Sequence, residues 1–410
     1  MEEKMVNSRY AWVILGCLVL AQLVMSIGAY AWGPLAPYLV DELGITRAQV
    51  GSLTSVLYLV AAVAATPLGF LVDRWGARVM LIFSLAVMGM AFLAMSKSGI
   101  YWVVLALSGL AGIGYGAINQ ISVKDLSVWF DAKFRATALG IRQAGVTVGA
   151  ALGAVLLPLA AGNGSWHGGA VFTGLVILAT AVLTGILYRD VRAGEGGKIG
   201  RAAGGGANVA AELRKPELMV NMLVVPLLAG GQAAIGTFLI IYLQERGLFG
   251  PEVNLGSFLT TVMVAGTVGR IGWGVISDRL LAGNRIKTMI IINSTGLIGA
   301  LGMIGLHHGV SPLVVYLLAA LLGAGFLGFH GVLFACIAEF IDSKNAGAVT
   351  GVMVSVSWAG IVVIPVIFGV LADYVGYQWG WLVLAAASLF SMASYGVFLV
   401  RRRSMPHSAG

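Results

Sequence analysis

Charge is scarce in this sequence. Only 10% of its 410 residues are Asp, Glu, Lys or Arg, against about 25% in an ordinary soluble domain, so a water-soluble globular fold is excluded. Cysteine is nearly absent: Cys17 and Cys336 each sit inside an apolar run, which leaves no disulfide framework and no cysteine metal site to read. The few histidines, at positions 167, 307, 308, 330 and 407, are scattered without zinc-ligand spacing, and neither a Walker-type glycine loop nor a nucleophilic triad occurs. An ATP-driven pump or a membrane hydrolase is therefore disfavoured. No enzymatic activity, metal or cofactor is expected.

What fills the chain instead is apolar surface: 59% hydrophobic residues at a mean hydropathy of +0.93. Glycine is abundant, at 58 residues, but has no three-residue period, and small residues of this kind let helices approach closely in lipid. A membrane-spanning helix needs about 20 mostly apolar residues. Twelve such runs occur, at 11–32, 48–71, 78–97, 101–123, 137–160, 167–188, 218–243, 255–276, 287–306, 312–337, 347–371 and 379–400. The expected fold is an all-α membrane protein of twelve transmembrane helices. The first run is too long, and lacks the small-residue cleavage site, for a signal peptide.

One long polar stretch, 189–217, divides the chain, so that 1–188 is expected to form a six-helix bundle, 189–217 a cytoplasmic linker, and 218–410 a second six-helix bundle with a short basic tail. With the N-terminus placed inside, cytoplasmic segments hold 19 of the 25 Lys and Arg residues, and external loops hold only Arg47, Lys97 and Arg246. That asymmetry predicts a multi-pass protein of the cytoplasmic (inner) membrane with both termini cytoplasmic. It also accounts for the +8 net charge without nucleic acid as a partner; the lipid bilayer is the partner instead.

The halves repeat one another. Gly69, Asp73 and Arg74 in GFLVDRWGAR recur 205 residues later as Gly274, Asp278 and Arg279, and Gly112, Gly114, Gly140 and Gly149 recur 211 residues later as Gly323, Gly325, Gly351 and Gly360. Parallel six-helix repeats place a substrate site at the bilayer midplane. On Gly69, Asp73, Arg74, Gly76 and Arg78, the chain resembles the major facilitator superfamily, whose hallmark between helices 2 and 3 is Gly-x3-Asp-Arg/Lys-x-Gly-x-Arg. The resemblance implies the major facilitator fold, two pseudo-symmetric bundles, and alternating access, with this loop as a cytoplasmic latch. Asp73 suits a helix N-terminus, and Arg74 and Arg78 suit nearby acids; simple positive-inside anchoring is the other reading of these charges. Asp278 and Arg279 are the copy of this latch.

Two features common in that family are missing. The arginine usual in helix 4 would fall near Ser108, and the Gly-Pro of drug antiporters in helix 5 is replaced by Gly145-Val146. Helix 8 resembles the monocarboxylate and organic-anion branch through Arg270 in GTVGRIGWGVISDR. The aspartate that often accompanies it one turn earlier is here Gly266.

Arg270 stands eight residues before Asp278, roughly 12 Å into the membrane. A guanidinium there cannot escape by losing its proton, and its planar fork matches a carboxylate; the alternatives are snorkelling or a hydrogen bond to carbonyls. Arg142, roughly 10 Å into helix 5, is the second candidate counter-charge, or a snorkelling residue. Gln22, Ser26 and Tyr30 share one face of helix 1. Gln232 repeats Gln22 at an offset of 210, and His330 repeats Asn119 at 211, which makes all four pocket candidates, with Tyr115 and Trp358 as walls. Lys124, Asp125 and Glu339 read as gate residues.

The function expected is secondary transport of a small organic anion, with carboxylates as the first class and a proton or counter-anion as the candidate coupling species. Symport is one such mode. Two alternatives stand beside it: a transporter of neutral solutes whose arginines are structural, and a membrane ligand sensor on the same fold.

Overall fold

The computed structural model describes residues 9–130, 132–162, 164–189, 211–250, 252–340 and 346–404. Among the described residues every regular element is an α-helix, as a bilayer requires of a chain that must satisfy its backbone polar groups internally. Twelve helical stretches among the described residues are long and apolar enough to cross a membrane. The chain separates into two compact units, Met1–Ile199 with Thr237–Gln244 and Leu255–Thr260, and Gly200–Gly236 with Glu245–Asn254 and Thr261–Gly410.

In chain order the first helices are α1 (Arg9–Ala29), α2 (Trp32–Leu43), α3 (Arg47–Trp75), α4 (Ala77–Met95), α5 (Tyr101–Gly116), α6 (Ile118–Trp129), α7 (Ala132–Ala161) and α8 (Trp166–Leu187). The rest are α9 (Pro216–Glu245), α10 (Gly256–Arg279), α11 (Arg285–Ile304), α12 (Pro312–Phe326), α13 (His330–Phe340), α14 (Ala346–Tyr374) and α15 (Tyr377–Ser404). Three expected spans differ from their apolar runs. The first continues through α2 as far as Leu43, because Pro34 falls in the opening turn of α2, where a missing N–H costs nothing. The fourth is divided at Ala117 into α5 and α6, and the tenth at Leu327–Phe329 into α12 and α13.

Close helix crossings explain most of the recurring glycines. A Cβ on Gly112 would lie 2.2 Å from the Leu57 carbonyl oxygen, and one on Gly323 would lie 2.2 Å from that of Val262. Gly149 and Gly360 stand likewise against the carbonyls of Leu23 and Pro226, at 2.1 and 1.7 Å. The recurrence thus records the same backbone-to-backbone approaches in each unit. Gly140 and Gly351 meet nothing within 4 Å, so no packing reason accounts for that pair.

At the end of α3, Gly76 adopts φ 86°, a conformation that favours glycine, and turns the chain directly into α4. The corresponding turn after α10 contains Ala282 and Gly283 at φ 49° and 75°.

Candidate functional site

Arg142, on α7, is 5% exposed. Its Nη1 donates to Gln22 Oε1 of α1 at 2.6 Å and to Asn119 Oδ1 of α6 at 3.0 Å, while Nη2 donates to Gln143 Oε1 at 2.5 Å. The side chain therefore turns inward and does not snorkel. Its hydrogen-bond acceptors are neutral amides, and none of the ion pairs among the described residues involves it. Gln22, 1% exposed, passes the chain on, its Nε2 donating to Ser26 Oγ at 3.1 Å. Tyr115 lies within electrostatic reach of the guanidinium. Its ring packs edge-on to Tyr58, with centroids 5.6 Å apart, and Tyr30 lies within electrostatic reach of Tyr58.

The first unit thus gathers Arg142, Gln22, Asn119, Tyr30 and Tyr115 from the sequence candidates. Gln143 and Tyr58 join them without having been singled out. Gln143 follows Arg142 directly, and Tyr58 is the lone hydroxyl in the run VLYLVAAVAA; those were the available signals. A buried guanidinium keeps its proton, so the cluster retains a net positive charge that amide dipoles offset only in part.

In the second unit, Arg270 of α10 turns toward the interruption of the tenth span. Its Nε donates to the Leu327 carbonyl at 3.3 Å, and His330 Nδ1 lies 3.1 Å from that same oxygen. Trp273 Nε1 donates to the Ala324 carbonyl at 2.9 Å. These groups therefore occupy carbonyls that the break between α12 and α13 leaves without helical partners. His330 also stacks on Phe329, with ring centroids 4.1 Å apart. Gln232 is buried and Trp358 half-buried in the same unit.

The expected gate residues make local contacts within their units. Arg78 donates to the Gly185 carbonyl, and Lys124 Nζ to that of Val72 at 2.8 Å. Tyr188 donates its hydroxyl to Asp125. Arg74 and Arg279 are exposed. Asp278 and Glu339 converge on Arg285, which pairs with the first and lies 3.2 Å from the second. Arg285 was missed because the second copy of the loop is two residues longer, so that the counterpart of Arg78 stands at an offset of 207 rather than 205. The side chain of Asp73, residues 190–210 of the linker, Asp342 and Lys344 lie outside the described residues.

Three comparisons bear on this arrangement. The chain is 25% identical over 386 residues to a D-galactonate transporter of Escherichia coli O6:H1, which covers 87% of each chain. It is 24% identical to a hexuronate transporter of Bacillus subtilis, covering 96% of this chain and 95% of the relative. Its fold matches, at 15% identity and a TM-score of 0.77, the crystal structure of a bacterial homologue of the human lysosomal transporter Spinster, over 97% of this chain and 98% of that one. The family model for the Major Facilitator Superfamily matches residues 18–363, in keeping with the twelve helices among the described residues that are long and apolar enough to cross a membrane, and the chain belongs to the Major Facilitator Superfamily.

Proposed function

We propose that the protein is a secondary transporter of a small organic anion, a carboxylate, working by alternating access. The observation that carries this reading is Arg142: a charge inside the membrane, 5% exposed, bonded to amide oxygens alone. A permanent positive charge in that setting is costly unless an anion joins it. Amide oxygens hold the fork in place in the meantime, and a carboxylate, a stronger acceptor, can displace them. The relatives named for D-galactonate and hexuronate support an acid as cargo.

Arg270 keeps a place in the proposal as a second positive group. Its bond to the Leu327 carbonyl favours a structural share in its role, so the main counter-charge is assigned to Arg142. Asp73, Arg74 and Arg78, with Asp278, Arg279, Arg285 and Glu339, form the proposed latch.

The test is ligand-induced thermal stabilisation of the purified protein across matched carboxylates, neutral sugars and amines. Stabilisation by carboxylates alone is the expected result. Stabilisation by a neutral sugar with no response to its acid would replace this reading with neutral-solute transport.

A further inference from the structure

The repeated Asp-Arg pair closes α3 and α10, and each of these helices carries an exposed stripe that runs into its final arginine. On α3 the stripe is Leu59, Val63, Thr66, Phe70 and Arg74; on α10 it is Val264, Val268, Ile271, Val275 and Arg279. Both follow i, i+4, i+7, i+11 and i+15, one face of a helix. Every member of the second stripe stands 205 residues after its counterpart in the first. Val63, Phe70 and Ile271 are each 71% exposed. Trp75 and Leu280, next in the chain, are exposed as well, so a large apolar side chain adjoins each of the two arginines.

These arginines are used differently from their neighbours. Arg78 donates to the Gly185 carbonyl and Arg285 pairs with Asp278, so those two hold protein to protein. Arg74 and Arg279 are exposed, and they take part in no ion pair or side-chain hydrogen bond among the described residues. A positive charge in the last turn suits the helix dipole, which accounts for one residue but not for a whole stripe repeated at one offset. In a bilayer the apolar part of each stripe meets acyl chains. The 15 steps from Leu59 to Arg74 span about 22 Å, more than the roughly 15 Å that one leaflet contributes to the hydrocarbon core. An arginine at the end of such a stripe reaches headgroup level, where its planar fork matches a phosphate.

We propose that Arg74 and Arg279 are the headgroup ends of two lipid seats, one in each repeat, and that each seat holds an anionic phospholipid with an acyl chain along the stripe and its phosphate on the arginine. The net negative charge of such a lipid complements the guanidinium, whereas a zwitterionic lipid brings the same phosphate together with an opposing ammonium group. The arginines of the proposed latch then divide their work: Arg78 and Arg285 bind protein, and Arg74 and Arg279 bind the membrane. Neither seat depends on the identity of the cargo.

Purified protein in detergent is titrated with phosphatidylglycerol and with phosphatidylcholine, and the lipid bound per folded protein is counted by native mass spectrometry. The wild type is expected to prefer phosphatidylglycerol on the order of fivefold, and the Arg74→Gln/Arg279→Gln variant to bind the two lipids about equally. Arg74→Lys/Arg279→Lys keeps the charges without the fork and is expected to fall between them. The control, Arg189→Gln/Arg214→Gln, removes two exposed arginines that lie off the stripes and is expected to keep the wild-type preference. No preference in the wild type, an undiminished preference in Arg74→Gln/Arg279→Gln, or an equal loss in the control would overturn the seats. A Lys variant that loses as much as the Gln variant would overturn the match of charge to headgroup. Release of bound phosphatidylglycerol by inorganic phosphate, and not by chloride at the same ionic strength, would make these sites for a free anion and overturn the lipid assignment.

Discussion

At the scale of single residues, Arg142 and Arg270 differ in what their donors hold. Arg142 faces side-chain amides that a ligand can displace, whereas Arg270 donates to a backbone carbonyl at a helix break. Variants should separate the two. Arg142→Lys keeps the charge but loses the planar fork, and Arg142→Gln loses both. Anion affinity is expected to fall in the order Arg, Lys, Gln, with the Gln variant about 1.5 to 3 kcal/mol weaker, the range for a hydrogen bond to a charged group. Arg270→Gln is expected to lower the melting temperature, by the equivalent of roughly 1 to 3 kcal/mol, and to change the affinity of the folded remainder less than Arg142→Gln does. Titration calorimetry alongside thermal unfolding reads both quantities, and equal affinity losses at the two positions would contradict the asymmetry. The sequence placed both arginines in the membrane and offered ligand and structural readings for each. It could not choose between them, because depth along a helix says nothing of the direction in which a side chain turns; that depends on Gln22, Asn119 and Leu327, contributed by other helices.

At the scale of elements, the spans themselves were legible because about 20 apolar residues in a row have few other uses. The breaks were not. Ala117 and Leu327–Phe329 lie inside continuous apolar runs with no proline near either break, and the tight packing that surrounds them is set by neighbouring helices: a Cβ on Gly116 would meet the Ala61 carbonyl oxygen at 2.6 Å. The glycine recurrence was visible in the sequence, but its members are unequal in the fold. Gly112→Ala forces a Cβ to within 2.2 Å of Leu57 O, and overpacking of this kind is expected to cost about 1 to 3 kcal/mol. Gly140→Ala, with nothing within 4 Å, is expected to be neutral or to stabilise its helix by up to about 1 kcal/mol. Melting temperatures of the two purified variants check the contrast. A stable Gly112→Ala would mean that α3 and α5 approach less closely than described.

At the scale of the whole molecule, the excess of Lys and Arg on one side of the spans predicts orientation as well as fold. Cysteines introduced as Gly200→Cys and Met405→Cys are expected to resist an impermeant external thiol reagent in intact cells, and labelling of either would contradict the predicted topology. The motif of the proposed latch was legible in its first copy and only half legible in its second, where two inserted residues displaced Arg285 from the register. The central claim, that a buried cationic cluster makes this member of the superfamily an anion carrier, is tested most directly by flux. Purified wild type and Arg142→Gln, reconstituted into liposomes in equal amounts of folded protein, are compared for uptake of a labelled carboxylate drawn from the class that stabilises the wild type. The account predicts saturable uptake by the wild type, competed by unlabelled carboxylate and not by the matched neutral sugar, and a fall of roughly tenfold or more in uptake efficiency for Arg142→Gln. Uptake by Arg142→Gln equal to that of the wild type would contradict it.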